Sequence, residues 1–269
     1  MDRAPRPPDR AGEPDATRPA PGSETPGAAR PAAPVVQRWR VVFRRPSASS
    51  DRPHRDLAEE WAERLADSGL PLARPEGRPR PPLAFAAPLP VRVAAEQEYA
   101  DVALAERLPV WSVRERIAVS LPADLALTDV FDVWPGAPAL AAIVAAADYR
   151  LSMAPPVPES GVLDEAARRL LGQPRIERER PRGGGSVRYD LRPLVAAIAV
   201  DAARPSELLV RTRFDAERGA GRPEEVVAAL AEALGQPIDI ERTIRERLIL
   251  EERPAERAPV PRRRQPAVG

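Results

Sequence analysis

The sequence contains no cysteine, no lysine, no asparagine and a single histidine, His54, in 269 residues. Without cysteine there is no disulfide, no thiolate zinc site, no cysteine nucleophile and no ligand set for an iron–sulfur cluster. Without lysine, a Schiff-base amine and the lysine of a phosphate-binding P-loop are excluded, and one imidazole is too few for a multi-histidine metal site. The catalytic palette is carboxylates, arginines, hydroxyls and one imidazole, and neither a metal nor a cofactor is expected. An excess of one charge is lacking too: 41 basic residues face 40 acidic ones, a net +1. The abundant arginine therefore does not announce a nucleic-acid binder, and its use in place of lysine, with much Ala and Pro, reads as the codon bias of a GC-rich genome. No apolar run approaches the roughly 20 residues of a membrane span, and the Pro-rich start lacks the apolar stretch of a signal peptide. A cytoplasmic protein with no membrane partner is expected.

Residues 1–34 are Pro, Ala, Gly and polar or charged residues with no large apolar side chain after Met1. Such a segment cannot offset the entropy lost on ordering, which predicts a disordered arm. From 253 to 269 Pro and Arg dominate again and include Arg262-Arg263-Arg264, either a solvated tail or a contact for RNA or an acidic partner.

Between these ends the periodicity switches between two and about 3.6, as in alternating strands and helices. Residues 36–44 alternate Trp39, Val41 and Phe43 with Arg38 and Arg40, a half-buried strand. Asp51 is placed to cap a helix entered through Pro53, in which Leu57, Trp61 and Leu65 form one stripe before Gly69. Extended stretches at 83–89 and 99–104, a helix at 110–120 carrying Trp111 and Ile117, and a strand at 125–134 complete a β-α-β-β-α-β order. After a short helical segment at 138–146 the scheme repeats. A strand at 149–153 and a helix at 161–171 precede a hairpin, 175–180 with 187–191, across Gly183-Gly184-Gly185. Strands at 195–200 and 208–214, a helix at 223–234 between Pro223 and Gly235, and a closing strand at 238–250 follow. The expectation is an α+β chain of two ferredoxin-like (βαββαβ) α/β sandwich units in tandem, residues 35–136 and 137–252, with disordered termini.

Six separated stretches carry a family resemblance. Leu70-Pro71-Leu72-Ala73 with Glu76-Gly77 and then Phe85-Ala86-Ala87-Pro88-Leu89-Pro90 make the first block. Glu98-Tyr99-Ala100-Asp101 follows, then Ala147-Asp148-Tyr149-Arg150, Asp190-Leu191-Arg192-Pro193-Leu194 and Ile240-Glu241-Arg242-Thr243. In this order they resemble the radical-SAM-associated family, a bacterial family of unknown function often encoded beside, or fused to, a radical SAM protein. The chain departs from the family pattern at three places. Pro53-His54-Arg55-Asp56 keeps only the His and Asp of a Ser-His-x-Asp element, Pro79-Arg80-Pro81-Pro82 lacks the His and Lys of another, and the segment 47–51 carries Ser and Asp in place of a Gly and an Arg-Phe pair.

The candidate ligand- or partner-binding residues are His54, Asp56, Glu76, Arg80, Tyr99, Asp101, Asp190, Arg192 and Arg242. His54 and Asp56 open a helix, where they serve either helix-start chemistry or a bound anion. Glu76, Arg78 and Arg80 lie in a Pro-rich loop, either solvated or gripping a phosphate. Tyr99 and Asp101 are two apart on a strand and share one face, as a cross-strand pair or as a ring and carboxylate for a base. Asp190 and Arg192 share a strand face in the same way, with Arg242 approaching the same sheet, as an ion pair or a substrate contact. The glycine run joins strands and makes no phosphate claim. The resemblance implies a non-catalytic accessory or binding module for a separate radical SAM protein, and the ferredoxin-like scaffold adds RNA as a ligand. The alternatives are an RNA-modifying enzyme of pseudouridine-synthase type, with Asp56, Asp101 or Asp190 as base or nucleophile, and a degenerate structural adaptor.

Overall fold

In the first strand, β1 (Gln37–Arg45), the alternation of the sequence becomes an inward row of Trp39, Val41 and Phe43, each 4 % exposed or less. The computed structural model describes residues 33–46, 51–74, 83–182 and 184–251. The expected arm up to residue 32, the tail from 253, the 79–82 element with Arg80, and Glu76 and Gly183 lie outside the described residues, as do 47–50.

Helix α1 (His54–Asp67) buries Leu57, Trp61 and Leu65 completely, which for each leucine stabilises the fold by about 1.5–3 kcal/mol. Asp51 does not cap it. The cap position is Pro53, without a side-chain bond, and Asp51 stands two residues too early and pairs with Arg92 instead. The helix gives way to Gly69 at φ 72°. β2 (Leu83–Phe85) is shorter than expected, because Pro88 and Pro90 offer no N–H to a ladder. β3 (Val93–Leu104) is longer, and α2 (Val110–Ser120) and β4 (Ala126–Val133) follow. Ile117 is buried as expected, but Trp111 is 68 % exposed. At about 100° per residue it falls on the far side of α2 from the buried Val113. β1 lies antiparallel between β3 and β4, and β2 pairs with the other edge of β3, giving the order β4-β1-β3-β2.

The second half opens with a single 3-10 turn (Leu140–Ile143), in place of a longer helical segment, and β5 (Val144–Met153). α3 (Ser160–Gly172) leads into a separate hairpin of β6 (Glu177–Arg182) and β7 (Gly185–Asp190), then a 3-10 turn (Arg192–Leu194). β8 (Val195–Asp201), β9 (Arg204–Asp215), the two-residue β10 (Gly219–Ala220), α4 (Pro223–Leu234) and β11 (Ile240–Leu250) complete the chain. α4 has both ends the sequence predicts: Pro223 in the first turn, and Gly235 at φ 70° with its N–H on Glu232 O. These strands run antiparallel in the order β11-β5-β9-β8.

Among the described residues the fold is mixed α+β, and strands of both halves form one nine-stranded sheet. The link is a short parallel pairing of β11 with β3, Thr243 opposite Val93, Ile244 opposite Ala94 and Arg245 opposite Ala95. Two hydrophobic cores lie on the same face of this sheet, one under α1 and α2 and one under α3 and α4. On the other face, charges pair along the strands. Asp101 holds Arg38 and Arg40; Asp148 holds Arg211 and Arg247; Arg150 holds Asp201, Glu207 and Glu246.

Candidate functional site

The strand register sets two arginines on either side of one small residue. Arg45 of β1 and Arg245 of β11 both lie opposite Ala95 of β3, and both guanidiniums turn to the helix-covered face, where the residues are 0 % and 1 % exposed. A buried guanidinium is tolerated only when paired or well hydrogen-bonded. Arg245 satisfies this in full. It grips Glu98 with Nε–Oε1 at 2.5 Å and Nη2–Oε2 at 2.7 Å, and its Nη1 donates to Pro88 O at 3.1 Å. Burial raises the Glu98 carboxyl above its usual range, against the pull of Arg245. Among the described residues Arg45 is served only by carbonyls: its Nη2 donates to Pro90 O and, at 2.5 Å, to Val93 O. Burial lowers its pKa, with the charge of Asp124 opposing. Pro88 and Pro90 thus bring the connector between β2 and β3 onto the sheet as a source of carbonyl acceptors.

Above this floor sits His54, the first residue of α1. Its ring stands edge-on to Phe85 at 4.8 Å, and Phe85 meets Trp61 at 5.4 Å and Phe43 at 6.0 Å. Burial, then the fields of Arg245 and Arg45, push the imidazole below its ordinary value, so it is neutral at pH 7. Because β1 and β4 align Arg44 with Ala126, the loop residue Asp124 arrives close to Arg45. Arg52 tethers it, with Nη1 at 3.4 Å from Oδ1, while also reaching Glu60 and the backbone of Asp56. In this neighbourhood Arg45 Nε and Nη1, His54 Nδ1, Trp61 Nε1 and Asp124 Oδ2 are buried with no hydrogen-bond partner among the described residues. Buried polar atoms are ordinarily satisfied, so their concentration here marks the candidate site. Among the described residues no group of three His, Asp or Glu side chains is set to hold a metal ion.

The residues nominated from the sequence are dispersed. His54 is in the site, whereas Asp56 is exposed on the first turn of α1. Tyr99 and Asp101 share a face as expected, but it is the opposite face of the sheet. Asp101 is 3 % exposed, receiving Arg40 Nε at 2.9 Å and Arg38 Nε at 2.8 Å; the Tyr99 hydroxyl lies 2.6 Å from Gln97 Nε2. The expected strand-face pair of Asp190 and Arg192 is not formed. Asp190 Oδ1 accepts from the backbone N–H of Ile176 at 2.9 Å and of Arg192 at 3.0 Å. That second bond bends the chain, as Asp side chains do two residues ahead, and carries Arg192 into the turn, where its Nε donates to Leu171 O at 2.8 Å. Arg242 is exposed on β11 opposite Ser152 and belongs to a different sheet from Asp190. Glu76 and Arg80 lie outside the described residues.

Arg45, Glu98, Asp124 and Arg245 were not nominated by the sequence reading. A signal for two of them was present. Arg45 continues the inward parity of Trp39, Val41 and Phe43, and Glu98 shares the parity of Ala100, Val102 and Leu104, so each is a charge on an apolar row.

No curated protein matches the chain. A chain in the crystal structure of a Cbf5–Nop10–Gar1 complex is similar at 12 % identity and a TM-score of 0.42, over 77 % of this chain and 48 % of that one. The protein therefore spans about half the length of that relative. A family model matches residues 38–223, most of the described sheet and its helices, and the chain belongs to that family, described as an uncharacterized protein conserved in bacteria (DUF2344).

Proposed function

We propose that this chain is a non-catalytic accessory module that binds RNA and partners a separate radical SAM protein in the cytoplasm. The supporting observation is how the candidate side chains are engaged. Asp101 and Asp190, two candidates for base or nucleophile, are taken up by arginines and by backbone N–H groups. His54, half-buried beside the ring of Phe85, offers an aromatic face of the kind that stacks on unpaired bases. A chain without cysteine supplies no cluster ligands, so the iron–sulfur chemistry belongs to the partner. The partner itself rests on the resemblance carried by the six stretches. The strand orders β4-β1-β3-β2 and β11-β5-β9-β8 support reading the fold as two ferredoxin-like units, 35–136 and 137–252, with the β6–β7 hairpin inserted in the second.

The test is a pull-down of the tagged full chain from its native cell extract, with a ribonuclease-treated sample in parallel, read by mass spectrometry and RNA sequencing. The reading expects RNA in the untreated sample and a radical SAM protein in both. Recovery of neither would sink it.

A further inference from the structure

We infer that the exposed tryptophan surface at one end of the sheet, Trp111 with Trp134, is the dock of the chain's own Arg- and Pro-rich tail, residues 253–269; the inference does not depend on the RNA reading above. α2 carries apolar residues on both sides. Val113 and Ile117 are buried, while Val110, Trp111 and Val119 are 49 %, 68 % and 73 % exposed. A helix apolar all round is ordinarily covered all round. Trp134, just past β4, is 72 % exposed, and its ring rests on Gly136, where an added Cβ would stand 2.7 Å from it. Gln37 ties the two elements together: its Oε1 accepts from the backbone N–H of Leu108 at 3.0 Å, and its Nε2 donates to Asp132 Oδ2 at 3.4 Å. Both tryptophans therefore stand at the same end of the first half.

Charge and reach select the occupant. Glu106, Glu115 and Asp132 are exposed here against Arg107, since Arg114 is held by Asp129; Glu115 lies one turn on from Trp111 and shares its face. The tail offers five arginines and one glutamate among four prolines, whereas residues 1–32 hold five arginines against five carboxylates. Proline-rich segments dock on aromatic grooves, and guanidiniums are drawn both to indole faces and to carboxylates. An acidic aromatic surface thus favours the tail over the arm. Its origin is also near. β11 runs parallel to β3, as β4 does, so Leu250 ends at the same end of the sheet as Val133. Three strand spacings and roughly three residues of rise separate the two ends, about 15–20 Å. About ten residues of extended proline-rich chain cover roughly 30 Å, enough to bring Arg262-Arg263-Arg264 to Trp134.

The chain has no cysteine, so Gln265→Cys in the full-length protein takes a single bimane fluorophore, which tryptophan quenches on contact. Trp39 and Trp61 are buried and out of its reach. With the contact populated at least half the time, emission is expected to rise by about twofold or more when Trp111→Leu and Trp134→Leu are combined. Both positions are exposed, so circular dichroism is expected to stay unchanged. A similar rise is expected in about 1 M salt, which shortens the screening length to about 3 Å, and the quenching is expected to be independent of protein concentration. Emission unaltered in the folded double variant would overturn the dock. Quenching that grows with protein concentration would overturn it in favour of a second copy of the chain. A label at Ala20→Cys that is quenched by the same tryptophans, with the label at Gln265→Cys unquenched, would overturn it in favour of the N-terminal arm.

Discussion

At Asp101 one carboxylate serves two guanidiniums, and removing its charge leaves the buried Arg40 and the part-buried Arg38 without a counter-ion. Breaking a buried pair from one side typically costs about 3–5 kcal/mol. Asp101→Asn is therefore expected to lower the urea unfolding free energy by about that amount, and Asp56→Asn, at an exposed position, by under about 0.5 kcal/mol. Similar small losses in both would show that the Asp101 cluster is not structural. His54 makes a second prediction. Its pKa is lower in the fold than in the unfolded chain, so on acidification the unfolded state takes up the proton first. The contribution is complete above the unfolded value of about 6.5 and is lost as the pH falls from there through the folded value. Comparing urea midpoints at about pH 7.5 and about pH 5.5, the wild type should lose more than His54→Gln; equal losses would mean that the imidazole titrates freely. At this scale the sequence placed His54 at the start of α1, where the structure has it, but gave no sign of the ring and the two arginines that surround it. It was opaque where the partner is distant: nothing near Asp101 in the sequence says that it will meet Arg38 and Arg40 across a strand.

Among the elements, β3 and β11 are joined by only three register pairs, so the contact of Glu98 with Arg245 carries much of their junction. Glu98→Gln leaves a buried guanidinium without its counter-ion, an expected loss of about 3–5 kcal/mol, whereas Glu98→Met with Arg245→Met is expected to recover most of it. A double variant as unstable as the single one would mean that the ion pair is needed in itself to join the strands. The helices were the elements best read in advance. The stripe of Leu57, Trp61 and Leu65, and the Pro223 and Gly235 ends of α4, are local signals acting on local structure. The strands were read less well for physical reasons. β2 is cut short by prolines that supply acceptors elsewhere, and β10 is only two residues long. β11, with its run of Arg and Glu, has the sequence of a solvated edge yet lies inside the sheet, because those charges find partners on both neighbouring strands.

For the whole molecule, the two halves do not have independent interiors. Ala86, Ala87 and Val93 come from the first half of the sequence and pack into the core under α3 and α4. A single cooperative transition is expected. All four tryptophans precede residue 137, so fluorescence reports on the first half while far-ultraviolet circular dichroism reports on both. Coincident urea midpoints are expected from the two probes, and separated ones would show that the halves unfold independently.

The bond between Glu98 and Arg245 also has a temporal meaning. The two residues are 147 positions apart, and at about 5–20 residues per second a ribosome needs roughly 7–30 seconds to travel between them. Throughout that interval the newly made first half carries a carboxylate destined for the interior and no guanidinium to receive it. The strand that resolves this, β11, is the last of the described strands in sequence order, so a chain interrupted before Arg245 lacks the guanidinium that its centre needs, however complete its earlier part.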